Sequence, residues 1–131
     1  MTGETNLDVL ISSMKPYLNK GEYVFCTLKT NDIDGTNCLF FFKEKEGTTL
    51  VCLREYADNQ GYMYSSIFSW ITLSVHSALE AVGLTAAFSN ALAQHNISCN
   101  VVAGYYHDHI FVPTSQGENA VEILENLAKR R

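Results

Sequence analysis

The run His107-Asp108-His109 and the junction Val82-Gly83-Leu84-Thr85 hold the residue types best suited to chemistry in this chain. A carboxylate such as Asp108 accepts charge-assisted hydrogen bonds from an ammonium or guanidinium group, each contributing roughly 1.5–3 kcal/mol. A helix start exposes unpaired backbone N–H groups at the positive end of its macrodipole, which suits a carboxylate. A glycine there lets a ligand come close to the backbone and permits a positive φ. Together the two features make a clamp for a zwitterion. Backbone N–H groups of Gly83 and Leu84 would hold an α-carboxylate, and Asp108 would hold an amino group. Tyr105 and His107 would wall the pocket, and Ser77 would add a hydroxyl. Each residue also has a plain structural role open to it. Gly83 can simply reverse the chain, Asp108 can brace a hairpin turn, Tyr105 can pack, and His107 and Ser77 can face solvent.

Other chemistries find less support. No Ser–His–Asp or Cys–His signature is present, nor a G-x-G-x-x-G run or a P-loop. His107 and His109 are metal-ligand types that alternation on a strand can bring to one face. A catalytic zinc needs three protein ligands and an open position, and neither His76 nor His95 stands at a diagnostic spacing. His95 falls at the end of a helical stripe, where capping is the simpler account. The four cysteines, Cys26, Cys38, Cys52 and Cys99, form no C-x-x-C pair. They are expected as buried reduced thiols. Neither a metal, a cofactor nor a catalytic residue is expected.

Composition sets the outer bounds. The chain has 131 residues, 47% hydrophobic and 18% charged, an ordinary globular mix. That length suits one domain or two very small ones. With 9 Lys+Arg against 14 Asp+Glu the net charge is −5, which argues against a nucleic-acid partner. No apolar run approaches the ~20 residues of a membrane span. The N-terminus lacks a basic region followed by an apolar core, so a cytoplasmic location is expected.

The elements that must position these residues follow from periodicity. Leu7, Leu10, Ile11, Met14 and Leu18 recur at helical steps, with Pro16 kinking or shortening the end. Glu22 to Leu28 reads as a strand. Cys38 to Lys43, apolar on both faces, reads as a central strand that turns at 44–47 and returns over Thr48 to Leu53. Arg54 to Asn59 reads as a short helix ending near Gly61. Trp70 to Val75 alternates, with Trp70, Thr72 and Ser74 on one face. Leu84, Ala87, Phe88, Ala91 and Leu92 form a helical stripe. Ile97 to Tyr105 and Ile110 to Pro113 are strands joined by the polar tip. Ser115 and Glu118 have capping-box spacing before a last amphipathic helix. The pattern predicts two small α+β units, residues 1–65 and 66–131.

The stretches Val75 to Ala93 and Ile97 to Pro113 resemble ACT domains, small regulatory modules that often bind amino acids. The resemblance covers residues 68–131, and Glu46-Gly-Thr-Thr-Leu50 within 20–60 fits the same compact tandem family of bacterial proteins. More distantly, the chain is similar to the ACT regions of aspartate kinases and of arginine-sensing tandem ACT proteins. The resemblance implies ferredoxin-like βαββαβ units, antiparallel sheets with helices on one face, and a ligand site where units meet. In the arginine-sensing relatives an Asp-His pair looks equivalent to Asp108-His109, with its Asp facing ligand. Asp108 and the Gly83 junction therefore lead to one expectation: a non-catalytic regulatory protein that binds a small amino acid, forms a homodimer and acts on a protein target. Two alternatives stand beside it. One is a structural pairing module without ligand; the other is a metal-dependent enzyme using His107, Asp108 and His109.

Overall fold

The computed structural model describes every residue except 1, 2, 4, 76, 77, 79, 80 and 131. Near the N-terminus the helical stripe forms α1 (Leu7–Ser13), which buries Leu10 and Ile11; the Asn6 side chain caps it by accepting from the Val9 N–H at 3.1 Å. The helix stops short of the expected Leu18. The residue before a proline is pushed out of the helical region, so Pro16 instead opens a short strand, β1 (Pro16–Leu18).

Two compact units emerge, 1–19 with 69–131, and 20–68. Residues 1–19, expected with the N-terminal unit, pack with the C-terminal one. The reason is pairing: β1 lies antiparallel to β5 (Phe68–Leu73), with Pro16 opposite Leu73 and Leu18 opposite Ile71.

In the C-terminal unit β5 is followed by α3 (Leu84–Gln94), β6 (Asn100–Ala103), β7 (Asp108–Pro113) and α4 (Gly117–Lys129). Strands run in the order β1-β5-β7-β6, and β6 and β7 are antiparallel with Ala103 opposite Asp108. Alternation sends Ile71 and Leu73 of β5, and Ile110 and Val112 of β7, into one core with Phe88 and Leu92 of α3, Leu124 of α4, and Leu10 and Ile11 of α1. α3 ends on Asn96 in the left-handed region (φ 58°), which asparagine tolerates. The expected capping box is not formed. Ser115 lies inside a short 3-10 turn, Thr114–Gln116, so α4 starts too late for its hydroxyl to sit at the cap, and Gln116 occupies that place without a side-chain bond.

The second unit holds β2 (Tyr23–Leu28), β3 (Phe40–Glu44), β4 (Gly47–Leu53) and α2 (Arg54–Gln60), in the order β3-β4-β2 with antiparallel pairing. Its core is Val24, Cys26, Leu50, Cys52 and Ala57. The strand expected at the centre, β3, is at the end of this order, and Phe42 is 68% exposed. Apolar residues on both faces suggested double burial, but β4 takes the central place. α2 ends at Gly61 in the left-handed conformation, as the glycine there suggested. Thr48 is fully buried, its hydroxyl 2.7 Å from the Thr30 carbonyl and 2.9 Å from Asn31 Oδ1. Thr48→Val keeps the shape and removes the hydroxyl, while Thr30 and Asn31 are exposed and can turn to water. It is expected to cost about 0.5–1.5 kcal/mol in a denaturant titration.

Candidate functional site

The first turn of α3 is built as the sequence suggested. Gly83 takes φ +102°, a conformation that L side chains rarely adopt, and no side chain caps the helix. The Gly83 carbonyl accepts from the Ala87 N–H at 2.9 Å, so the helix is wound from its first turn. The close approach at Gly83 is made by α1: a Cβ there would stand 3.0 Å from Leu7 Cδ2. Leu84 points into the core and Val82 is exposed.

Asp108 is the first residue of β7 and only 9% exposed. Strand alternation puts it on the same face as Ile110 and Val112, the face that α3 and α4 cover. Leu84, Val75 and Ile110 belong to one packed cluster, which links the start of α3 to the strand that Asp108 opens. Its carboxylate meets no donor among the described residues. Burial pushes its pKa above the ordinary carboxylate value, against a smaller opposing pull from His109. A hairpin brace would be satisfied by local N–H groups; this carboxylate is not.

The other expected site residues divide. His107 is half-buried, and its Nδ1 is enclosed with no hydrogen-bond partner. Tyr105 is 61% exposed and meets Tyr106 edge-on at 5.0 Å. Ser77 lies outside the described residues, as does His76. Among the described residues no three His, Cys, Asp or Glu side chains converge to hold a metal. His95 caps α3, its Nδ1–H donating to the Ala91 carbonyl at 3.0 Å. Among the described residues the four cysteines are free thiols, and burial raises Cys99 to about 11 and Cys52 to about 12, which removes nucleophilic character. A cleft of about 540 Å³ opens elsewhere, between α3 and α4 and lined by Asn90, His95, Asn126 and Arg130 among others.

One cluster had no signal in local spacing. On the face opposite Asp108, His109 Nδ1 lies 3.0 Å from Trp70 Nε1 and 3.2 Å from Thr72 Oγ1. The Asn19 amide donates to Thr72 Oγ1 at 2.9 Å. Asn19, Trp70 and Thr72 are 37 to 90 positions away from His109 in the chain, and only the β1-β5-β7 pairing gathers them.

Two α+β units with antiparallel strand pairs and helices packed on the sheet define the class of small ferredoxin-like folds. Residues 2–69 and residues 65–126 each match the ACT domain, and the chain belongs to the ACT-domain family, as two tandem ferredoxin-like domains. ACT domains are typically regulatory ligand-binding modules. Among solved structures the chain is similar to a Vibrio cholerae protein described as of unknown function and a possible transport protein. The identity is 48%, with 93% of this chain and 95% of that one covered and a TM-score of 0.82. It is also similar to the Agrobacterium tumefaciens protein Atu0741, at 19% identity, 88% and 89% coverage and TM-score 0.72. The ligand-free regulatory subunit of aspartate kinase from Thermus thermophilus shares the fold at 7% identity, 88% and 96% coverage and TM-score 0.64. No curated protein matches the chain. No described helix is long and apolar enough to cross a membrane.

Proposed function

We propose that this protein is a non-catalytic regulator that binds a small free amino acid in its C-terminal unit. The start of α3, from Val82 through Gly83 to Leu84, takes the α-carboxylate on backbone N–H groups. Asp108 takes the ammonium group, and His107, which precedes it in the chain, holds an enclosed nitrogen free to bond a ligand. The observation that carries this reading is the Asp108 carboxylate: nine-tenths buried, raised in pKa, and without a donor among the described residues. The Asp108 oxygens are not among the fully enclosed polar atoms, so a cation can reach them, and partial desolvation of the charge makes such a partner favourable. The reading extends to a cytoplasmic homodimer that passes its ligand state to a protein target; the free cysteines suit a reducing compartment.

A thermal-shift panel of the twenty common amino acids tests it. At a hundred times its dissociation constant, the cognate amino acid stabilises by about 2.7 kcal/mol, a rise of several degrees in Tm. A panel in which no member moves Tm favours a pairing module without ligand.

A further inference from the structure

We propose that the Asn19–Thr72–His109–Trp70 chain of hydrogen bonds is a proton-operated switch that regulates the Asp108 site. Taking up a proton at His109 Nδ1 detaches the Trp70 indole and places a positive charge one residue along β7 from Asp108, on the opposite face, weakening through the strand the hold of that carboxylate on an ammonium group. The regulatory part rests on the amino-acid reading above; the switch itself does not.

The geometry fixes the protonation state of the ring. An indole N–H only donates, so the Trp70 bond at 3.0 Å requires a lone pair on His109 Nδ1. Thr72 Oγ1 accepts from Asn19 Nδ2 and lies 3.2 Å from the same Nδ1, to which, with a lone pair there, its hydroxyl donates. Asn19 is itself anchored, its backbone N–H donating to the Trp70 carbonyl at 2.9 Å and its side-chain amide to the same oxygen at 3.2 Å. Three elements therefore agree on neutral imidazole with its proton on Nε2. Imidazolium carries hydrogens on both nitrogens and accepts nothing, so its Nδ1–H would confront the indole N–H.

The surroundings of His109 hold few charges. From its own strand and turn come His107 and Asp108. From β5 come Trp70 and Thr72; from β1 and the residues after it, Tyr17 (opposite Thr72) and Asn19; from β6, Val102 opposite His109. On the Nε2 side is Gly104, where a Cβ would stand 3.2 Å from that nitrogen. Of these the ionisable side chains are His107, Asp108 and Tyr17. Burial and His107 lower the proton affinity of His109, and Asp108 raises it by less.

Trp70 is the only tryptophan in the chain, so intrinsic fluorescence reports the switch directly. Ligand-free wild-type protein, kept folded by circular dichroism, is expected to show one emission step with its midpoint below the ordinary histidine value of ~6.5. His109→Gln, whose amide oxygen still accepts from the indole, is expected to abolish the step. Asp108→Asn is expected to move the midpoint lower, because it removes the charge that favours imidazolium. Nitrogen-15 NMR of the wild type at pH 8 supplies a check that needs no variant, and should place the proton on Nε2 of His109. A flat emission profile, a step that survives His109→Gln, or a proton on Nδ1 at pH 8 overturns the switch. The amino-acid panel run at pH 7.5 and at a pH just below the wild-type emission midpoint tests the regulation. The largest shift at pH 7.5 should shrink at the lower pH in wild type and shrink less in His109→Gln; equal shrinkage in both overturns the coupling. A panel without any response, with the emission step present, removes the amino-acid reading and leaves the switch without a regulated site.

Discussion

Asp108→Asn should make the ligand-free protein more stable and abolish its thermal response to every amino acid. The two effects share one cause. Burial raises the Asp108 pKa in the folded state above its unfolded value near 3.9. A group raised in this way favours folding below its unfolded pKa, and that contribution is lost as pH rises through the folded value. At pH 7 the ionised carboxylate is therefore a net cost, and the neutral amide removes it. Relieving an unpaired buried polar group is worth on the order of 1 kcal/mol, a few degrees in Tm. The gain should fade below pH 4, where wild-type Asp108 is itself neutral. Scanning Tm from pH 3 to 8 for both proteins measures this. A carboxylate placed for stability gives the opposite result, a lower Tm for Asp108→Asn at pH 7. Residues held at a cost to the fold are characteristic of binding sites.

His109 runs with the opposite sign. Its folded pKa is depressed, so its contribution is present above about 6.5 and is lost as pH falls through the folded value. Asp108 and His109, adjacent in sequence and on opposite faces of β7, thus pull the pH profile of stability in different directions.

Gly47→Ala should be the most damaging single substitution in the second unit. Gly47 ends the tight reversal between β3 and β4, paired with Glu44, at φ +147°. A Cβ there would sit 2.1 Å from the Leu28 carbonyl oxygen and 3.0 Å from its carbon, both backbone atoms of the neighbouring β2. Neither can swing aside as a side chain would. β2 or the reversal must shift, and β4 is the central strand of that unit. The combined strain and lost pairing should exceed about 3 kcal/mol, seen as a Tm fall of more than about 10 °C or loss of soluble protein. Gly61→Ala is the control. Its φ of +72° is also left-handed, but a Cβ there meets nothing within 4 Å, so only the roughly 1–2 kcal/mol of backbone strain applies. Equal losses in the two variants would show that φ, and not the contact with β2, governs Gly47.

Much of this protein was legible in short stretches of sequence. The helical stripes of α3 and α4, the alternation of β5, the glycines that end α2 and begin α3, and the α+β class follow from periodicity and from the backbone freedom of single residues. The start of α3 could be named as a candidate carboxylate site because a helix terminus is a local object. What tertiary structure alone decided is everything that depends on partners distant in sequence. β3 looked central because its own residues are apolar on both faces, yet its rank in the sheet depends on β4. Ser115 had the right spacing for a cap, but the helix begins after it. Residues 1–19 joined the C-terminal unit through the pairing of β1 with β5. Spacing identified Asp108 as an acid at a hairpin tip. Only the packed structure made it a buried carboxylate with no donor among the described residues, because burial and hydrogen-bond partners are properties of the contacts between elements and not of any one element.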